Sequence, residues 1–570
     1  MSLRQAASAA AASSVLVRVS GPDADGRARA SAAFHGFSAE TGEATLSCSG
    51  VLLQGLQPGR VLAPAALLQA FAPGWPSLEP HVRVEVLLGS VTTWRTAVVA
   101  ATVDLLEEAP ELSDALRPLA PFFAQSELWL MLLHVEDAHA SLEGRRPAVW
   151  ASASSLRRGD ALCAAGAPFG ALARSLHASA SHAHVSHTLP PQADPPAALL
   201  LDMRCLAGLE GAPLCGPSGA IVAMLLPPLR GARGGSAELA LGVSADTLVR
   251  VLERRGYMLT LSSSPCVMPE SALDRASRAV ALLAIHGGSR WGSCVAVGSR
   301  GRLYLTAAHV LHPQAARLGL RTASAASAPS PGCLPALPEG ACAHSLVHTS
   351  DGVARTARTL WLSRGPLDVA LIQLESDVDG GADEDAMPRE LCELRPCAAT
   401  SAALQPGSHA AVLGHAHMGP AACLPPGVTW GVVAAHTPSA AMLRVSAEIH
   451  AGASGGAVVC PHSAALLGLV TSNASLALGG VGQKAAPTTL PTLNFSVSGP
   501  RLGALCDAAR GVEASDRLAP GQRAPGDLLN ACRQLDQPDE LLSRAWALQD
   551  EPESLPGAGP SLARFLRSRV

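Results

Sequence analysis

Ile449-His450-Ala451-Gly452-Ala453-Ser454-Gly455-Gly456-Ala457-Val458-Val459 sets one serine in a glycine-rich turn between two short apolar runs. Glycine permits φ > 0 and close approach of other groups, so such a turn leaves the hydroxyl of Ser454 projecting. It also aims the amides of Gly452 and Ser454 at one point, where an oxyanion could be held. A serine hydroxyl is a weak nucleophile without a base and a group that orients the base. The rest of the chain is therefore searched for a histidine and a carboxylate.

Leu305-Thr306-Ala307-Ala308-His309-Val310 reads as a strand running into a small-residue turn with a histidine at its end. Taken alone, that histidine reads as structural. Leu367-Asp368-Val369-Ala370-Leu371-Ile372-Gln373-Leu374 opens an apolar strand with a carboxylate, which is costly to bury without a partner. An exposed strand end is the plain alternative. The order His309, Asp368, Ser454 is that of a chymotrypsin-type triad, and the three signals reinforce one another.

Composition narrows the field. The chain has 570 residues, 48% hydrophobic and 15% charged, which suits a globular protein of two or more domains. A formal net charge of −4 gives no reason to expect a nucleic-acid or membrane partner, and no apolar run has the length of a membrane span. The N-terminal segment between Arg4 and Arg18 lacks an apolar signal core and only weakly suggests a transit peptide. Fourteen cysteines are dispersed with no Cys-x-x-Cys pair, so the expectation is free thiols, with neither a zinc site nor a disulfide framework. His182, His184 and His187 fall together in a Ser/Ala-rich stretch read as a solvated loop. The cluster Asp377, Asp379, Asp383, Glu384 and Asp385 is likewise read as solvated. Asn473-Ala474-Ser475 and Asn494-Phe495-Ser496 match the glycosylation acceptor pattern, which recurs by chance.

The remaining chain reads as mostly β. Short apolar segments such as Ser14–Val19, Arg60–Ala63, Val82–Leu88 and Leu128–Leu133 are separated by Gly, Pro and Ser. A second series includes Ala279–Ile285, Ser293–Val297, Arg302–Thr306, Ala410–Leu413, Val428–Val433, Met442–Val445 and Leu466–Val470. The two series correspond in order, offset by roughly 240–250 residues. Ser49–Leu53 matches Ser293–Val297, Gly59–Leu68 matches Arg302–Leu311, Glu127–Leu133 matches Asp368–Leu374, Gly159 and Gly166 match Gly407 and Gly414, and Gly208–Ala212 matches Gly452–Gly456. Five matches in register indicate a duplicated domain. The first copy holds Ala66, Glu127 and Glu210 where the second holds His309, Asp368 and Ser454, so it is expected to be catalytically dead.

The expected layout is a degenerate domain over 1–261, a linker over 262–276, a catalytic domain over 277–503 and a helical or irregular tail over 504–570. Helical patterning is expected in Asp507–Ala514 and Asp539–Ala547. The fold class is all-β, with two six-stranded barrels per copy and the active site in the cleft between them.

Thr306-Ala307-Ala308-His309, Asp368-Val369-Ala370-Leu371 and Gly452-Ala453-Ser454-Gly455-Gly456 resemble the histidine, aspartate and serine motifs of trypsin-like serine proteases of the chymotrypsin fold. Ala447–Val458 and Leu467–Asn473 are most similar to the HtrA/Deg branch, because Ala453 stands where digestive proteases carry an aspartate. The usual proline after the paired glycines is replaced by Ala457. The duplicated layout, Leu493-Asn494-Phe495-Ser496 and the closing tripeptide Ser568-Arg569-Val570 resemble peroxisomal processing members of that branch. That resemblance implies a peroxisomal matrix endopeptidase that removes leaders from imported enzymes of lipid oxidation, cutting near cysteine, cleaving itself and self-associating. His309 then serves as base, Asp368 as its orienting group, Ser454 as nucleophile, and the amides of Gly452 and Ser454 as the oxyanion hole; no cofactor is needed. Glu448, Ile449, His450, Ala451, Thr471, Ser472 and Asn473 are the expected pocket walls, although ordinary strand-end roles suit them as well.

Two other readings compete. Gly452–Gly456 also fits the nucleophile elbow of α/β-hydrolases, but those need acid and histidine after the serine, and only His462 follows Ser454. A non-catalytic pseudoprotease that binds or scaffolds is the remaining alternative, since the first copy shows that the triad positions can be lost.

Overall fold

The computed structural model describes residues 3–28, 31, 34–53, 59–71, 81–88, 93–123, 128–136, 149–171, 176–191, 193–229, 239–262, 271–298, 301–312, 337, 341–365, 367–375, 393–436, 441–478, 488–514, 525–537 and 563–569. Two compact units divide the chain, Met1–Met268 and Pro269–Val570.

In the first unit, helix α1 (Leu3–Ser13) packs on strand β9 (Ala161–Gly166), with Ala6 and Ala10 buried, so this stretch is part of the folded unit. Strands β1 (Ser14–Pro22), β2 (Phe34–Ser38), β3 (Glu43–Leu52), β4 (Arg60–Pro64), β5 (Arg83–Leu88), β6 (Arg95–Asp104) and β7 (Trp129–Val135) follow, with the short helix α2 (Ala66–Gln69) after β4. The ladder runs β1-β5-β6-β7-β4-β3 and returns from β3 to β1, which closes a six-stranded barrel. The second barrel uses β9 (Ala161–Gly166), β10 (Ser179–Leu189), β11 (Ala198–Asp202), β12 (Pro213–Cys215), β13 (Ile221–Leu225) and β14 (Leu239–Ser244). It closes through β12–β13, while β8 (Trp150–Ala151) and β15 (Leu261–Ser262) extend its outside. Helix α3 (Ala245–Arg254) follows, capped by the Ser244 hydroxyl.

The second unit repeats this plan. Helix α4 (Ala272–Arg278) precedes it, in a stretch the sequence suggests is a connector. A capping box fixes its start: Ser271 accepts from Asp274 N, and the Asp274 carboxylate accepts from Ser271 N. Strands β16 (Val280–Ile285), β17 (Arg290–Ala296), β18 (Leu303–Ala307), β19 (His344–His348), β20 (Ala354–Leu362) and β21 (Val369–Leu374) form a closed barrel, with helix α5 (Ala308–Leu311) after β18. Strands β22 (His409–Gly414), β23 (Gly427–His436), β24 (Met442–Val445), β25 (Ala457–Val459), β26 (Leu466–Leu478) and β27 (Thr488–Ser498) close the other through β25–β26. Strand β28 (Ala563–Arg569) adds to β26. The all-β tandem double-barrel architecture expected from the sequence is the fold of the chain.

Apolar side chains fill the barrels of the first unit as separate cores, whereas in the second unit one core joins both barrels, from Leu305 and Leu371 to Leu413 and Leu469. Helices α6 (Gly499–Ala514) and α7 (Gly526–Asp536) pack on each other, with α6 along β26 and β27, and Leu502, Leu505, Ala509, Leu528 and Leu535 join the core shared by the two barrels. Two carboxylates fasten them. Glu513 accepts from the amides of Arg302 and Leu303 at 2.8 and 2.7 Å. Asp536 accepts from Ser363 Oγ at 2.9 Å and Arg364 N at 2.7 Å. Asp539–Ala547, the other expected helix, lies outside the described residues, as do Glu127 and the acidic cluster 377–385.

One reading of detail is corrected, and two others agree with the structure. His182, His184 and His187 lie on strand β10, with His187 buried, and not in a loop. Ser and Ala carry little strand signal, yet β10 is locked by pairing with both β9 and β11. Asn473 and Asn494 are buried, 1% and 0% exposed, so neither acceptor pattern is accessible. Among the described residues all eleven cysteines are free thiols.

Candidate active site

Strand pairing brings the histidine and the carboxylate together. The β18–β21 register sets Ala307 opposite Val369, so the residue before β21 faces the start of α5. Asp368 O accepts from Ala308 N at 3.1 Å, and Asp368 Oδ1 from His309 N at 2.9 Å. Asp368 Oδ2 lies 2.7 Å from His309 Nδ1. An ionised carboxylate only accepts, so Nδ1 carries the proton and Nε2 is left as the basic nitrogen. Asp368 has φ +60°, a left-handed conformation that aspartate tolerates better than most residues. Three hydrogen bonds hold it there. Both side chains are buried, 5% and 4% exposed for His309 and Asp368.

The serine turn is moulded against the same strands. Gly452 has φ +96° and Gly455 φ +83°. A Cβ on Gly455 would lie 2.1 Å from Ser293 O, 2.3 Å from Thr306 Oγ1 and 3.0 Å from Ala307 N, so this turn rests on the end of β18, two residues before His309. A Cβ on Gly452 would meet His415 O and Trp291 Nε1, both at 2.4 Å. Only glycine suits either place. Ser293, at the centre of β17, ties the arrangement: its Oγ donates to Gly452 O at 2.9 Å and accepts from His415 N at 2.9 Å, while Ser293 N donates to Ser454 O at 2.7 Å.

Ser454 itself is fully buried. Its hydroxyl donates to Thr471 O at 3.5 Å, a long bond, and His309 Nε2 is buried without a hydrogen-bond partner among the described residues. The aspartate–histidine half is thus assembled, with the serine turn packed beside it. Gly452 N donates to no acceptor among the described residues. Ala453 N closes a turn onto His450 O at 3.0 Å.

The expected pocket segments do meet, because Asn473 Nδ2 donates to Ile449 O at 2.6 Å. Side-chain and main-chain groups of these segments serve the frame. Thr471 Oγ1 donates to Phe495 O at 3.1 Å, and Glu448 O accepts from Thr429 Oγ1 at 2.7 Å. Ile449, His450, Thr471, Ser472 and Asn473 are buried, whereas Ala451 is exposed. The His450 ring packs against His417, centroids 4.7 Å apart. Burial, aided by His417, pushes its pKa down to about 3, so the ring is neutral. Glu448 Oε2, 3.8 Å from His450 Nε2, therefore makes neither a hydrogen bond nor an ion pair with it.

Sequence reasoning passed over three contributors: Ser293, Trp291, which donates to His415 O at 3.2 Å, and His417, whose amide donates to Ala451 O at 2.7 Å. The recurrence of Ser49 at the position matching Ser293 was the one signal in the sequence that could have found the first.

Residues 292–469 match the model of a trypsin-like peptidase domain. The human peroxisomal leader peptide-processing protease is 28% identical over 426 residues, covering 71% of this chain and 63% of the relative. The mouse protein of that name is 27% identical over 523 residues, covering 88% and 77%. The chain thus spans 63% of the human relative's length. Among solved structures, the HtrA-type protease AlgW with tripeptide aligns at 19% identity over 40% of this chain and 58% of that one, with a TM-score of 0.26. A serine endoprotease from Yersinia pestis aligns at 18% identity over 40% and 63%, with a TM-score of 0.25. Residues 292–469 are a trypsin-like peptidase domain, and the chain that carries them is similar to the peroxisomal leader peptide-processing proteases.

Proposed function

We propose that the second unit is a working serine endopeptidase that removes targeting leaders from imported peroxisomal matrix proteins. The observation that carries the chemistry is the His309–Asp368 pair, which presents a basic Nε2 beside the turn of Ser454. Ser454 Oγ attacks the scissile carbonyl carbon while His309 Nε2 takes its proton. The same proton then passes to the leaving amine, and the acyl-enzyme is hydrolysed by a water that His309 activates in turn. Asp368 holds the tautomer and stabilises the imidazolium. The amides of Gly452 and Ser454 take the oxyanion, each donor worth about 2.7–4 kcal/mol. The pocket for the residue before the cut lies between Glu448–Ala451 and Thr471–Asn473.

The names of the human and mouse relatives support leader processing and a peroxisomal setting. The reading includes, as what the sequence resemblance implies, enzymes of lipid oxidation as substrates, cleavage near cysteine, self-cleavage, self-association and residence in the matrix. Ser568 and Arg569 of the address-like tripeptide lie on β28, while Val570 is outside the described residues. We assign the first unit a regulatory or assembly role, with no catalysis of its own.

The test is to incubate the purified chain with a leader-bearing peroxisomal matrix enzyme and determine the new termini. One internal cut that releases the leader, absent with Ser454→Ala, is the expected result. An intact substrate, or a cut that survives the substitution, would overturn the assignment.

A further inference from the structure

Strand β26 is longer than its barrel requires. One edge is covered by β27 over Gly468–Leu476, and the other is covered by β25 only over Leu466–Leu469. Past that point the second edge runs alongside the serine turn, where Val470 O accepts from Gly455 N at 2.8 Å and Thr471 O from Ser454 Oγ at 3.5 Å. From Ser472 onward the same edge is occupied by β28, antiparallel, in a register from Ser472↔Arg569 to Leu478↔Ala563. β27 already holds the opposite edge over Ser472–Leu476, so β28 can pair nowhere else.

Direction gives this pairing a chemical meaning. A peptide to be cut at Ser454 must bring the residues before its scissile bond towards the nucleophile, carboxyl end first. An unpaired strand edge beginning at the nucleophile is the natural place for such a peptide to add as a further strand. β28 runs in that sense: its last residues face Ser472, next to Thr471 and Ser454. A second observation agrees. Ser454 is 0% exposed and His309 Nε2 is buried without a hydrogen-bond partner among the described residues, so the site is closed in this conformation.

Building on the endopeptidase reading, we infer that residues 563–569 are an internal occupant of the acyl-side substrate groove, which extended substrates must displace. The occupant is tethered to the groove it fills, so its effective concentration is on the order of millimolar. A weakly binding peptide is kept out, and a segment that pairs better with β26 opens the site. The device selects substrates by strand-forming affinity along Ser472–Leu478, in addition to any side-chain pocket.

The test compares the full chain, a chain ending at residue 562, and the full chain carrying Leu566→Pro with Arg567→Pro. Adjacent prolines remove two successive amides and break the ladder whichever one donates to β26. The readouts are turnover of fluorescein-labelled casein and the rate of labelling by a small fluorophosphonate, with thermal unfolding to establish that each variant is folded. Loss of the strand is expected to lower KM for casein about tenfold and to speed labelling by a similar factor. The synthetic peptide 563–570 should then compete with casein on the shortened chain, raising KM with kcat unchanged. Equal KM and labelling rates in all three, with no competition by the peptide, would overturn this inference and leave the endopeptidase reading intact. Absence of labelling in all three folded proteins would overturn the endopeptidase reading, and this inference with it.

Discussion

The turns Gly208–Ala212 and Gly452–Gly456 are built alike and serve different ends. Gly208 and Gly452 have φ +93° and +96°, and Gly211 and Gly455 have φ +87° and +83°. A Cβ on Gly211 would lie 2.1 Å from Ser49 O, and one on Gly455 the same distance from Ser293 O. Ser49 Oγ donates to Gly208 O at 2.7 Å and accepts from Ala167 N at 2.9 Å, repeating the bonds Ser293 makes to Gly452 and His415. Three of the five residues differ, and one of those differences bears on the chemistry. Where the second turn has Ser454, the first has Glu210, whose carboxylate accepts from Gly208 N at 2.7 Å. The amide matching the proposed oxyanion donor is thus filled from within in the first copy, while Gly452 N has no such acceptor among the described residues. The glycine and serine frame belongs to the fold, and the chemistry is a separate layer that can be removed without disturbing it.

The strongest way to break this comparison is to strip the chemical layer from the second copy. Ser454→Ala or His309→Ala should lower kcat by about 10⁴-fold or more; Ser454→Ala should leave the unfolding midpoint nearly unchanged, whereas His309→Ala takes the side-chain partner from the buried Asp368 carboxylate and lowers it; Asp368→Asn should cost about 10⁴-fold in kcat, because the histidine then adopts the wrong tautomer. Steady-state kinetics beside thermal unfolding checks all three. A loss of kcat below tenfold for Ser454→Ala would show that the layer lies elsewhere.

Next in size are substitutions of the frame, which should cost both copies alike. Gly452→Ala forces a Cβ onto His415 O and Trp291 Nε1, and Gly208→Ala forces one 2.4 Å from Gly170 N and 2.5 Å from Ala167 O. Each should destabilise its own unit by about 3 kcal/mol, measured by denaturant unfolding. Ser293→Ala and Ser49→Ala strand a buried carbonyl and a buried amide, at about 1–3 kcal/mol each. Only the changes in the second copy should lower turnover; equal losses from the first would mean that Gly208 and Ser49 serve the chemistry too.

A smaller effect sharpens the comparison through pH. Burial lowers the His450 pKa from 6.5 to about 3, so below about pH 6.5 the unfolded chain binds a proton that the folded one refuses. Stability therefore falls as the pH drops from 6.5 towards 3, by about 2 kcal/mol at about pH 5. His450→Gln should flatten the pH dependence of unfolding between these values by about one proton. An unchanged slope would place the titration elsewhere.

Much of this was legible because strands that line a barrel must be apolar. Met442–Val445, Leu305–Thr306 and Val369–Leu374 declared themselves so, and the three chemical residues stood at the ends of such runs. β20, Ala-Arg-Thr-Ala-Arg-Thr-Leu-Trp-Leu, hides because arginine and threonine alternate with its few apolar positions. β27 hides behind Pro491. Ser271 and Asp274 spelled a helix start, but the stretch was read by its Ser and Pro content as a connector. Ser293 could not be read from its neighbours at all, since its role exists only where β17, the serine turn and the end of β22 converge. The pairing of β28 with β26 is equally long-range, setting Arg569 against Ser472 from nearly a hundred residues away.

The most direct test is to treat the folded protein with a fluorophosphonate and locate the adduct by mass spectrometry. The account predicts one adduct, on Ser454, absent in Ser454→Ala and strongly slowed in His309→Ala, with none on the first unit. Folded protein that takes no label, or label that persists in Ser454→Ala, would contradict it.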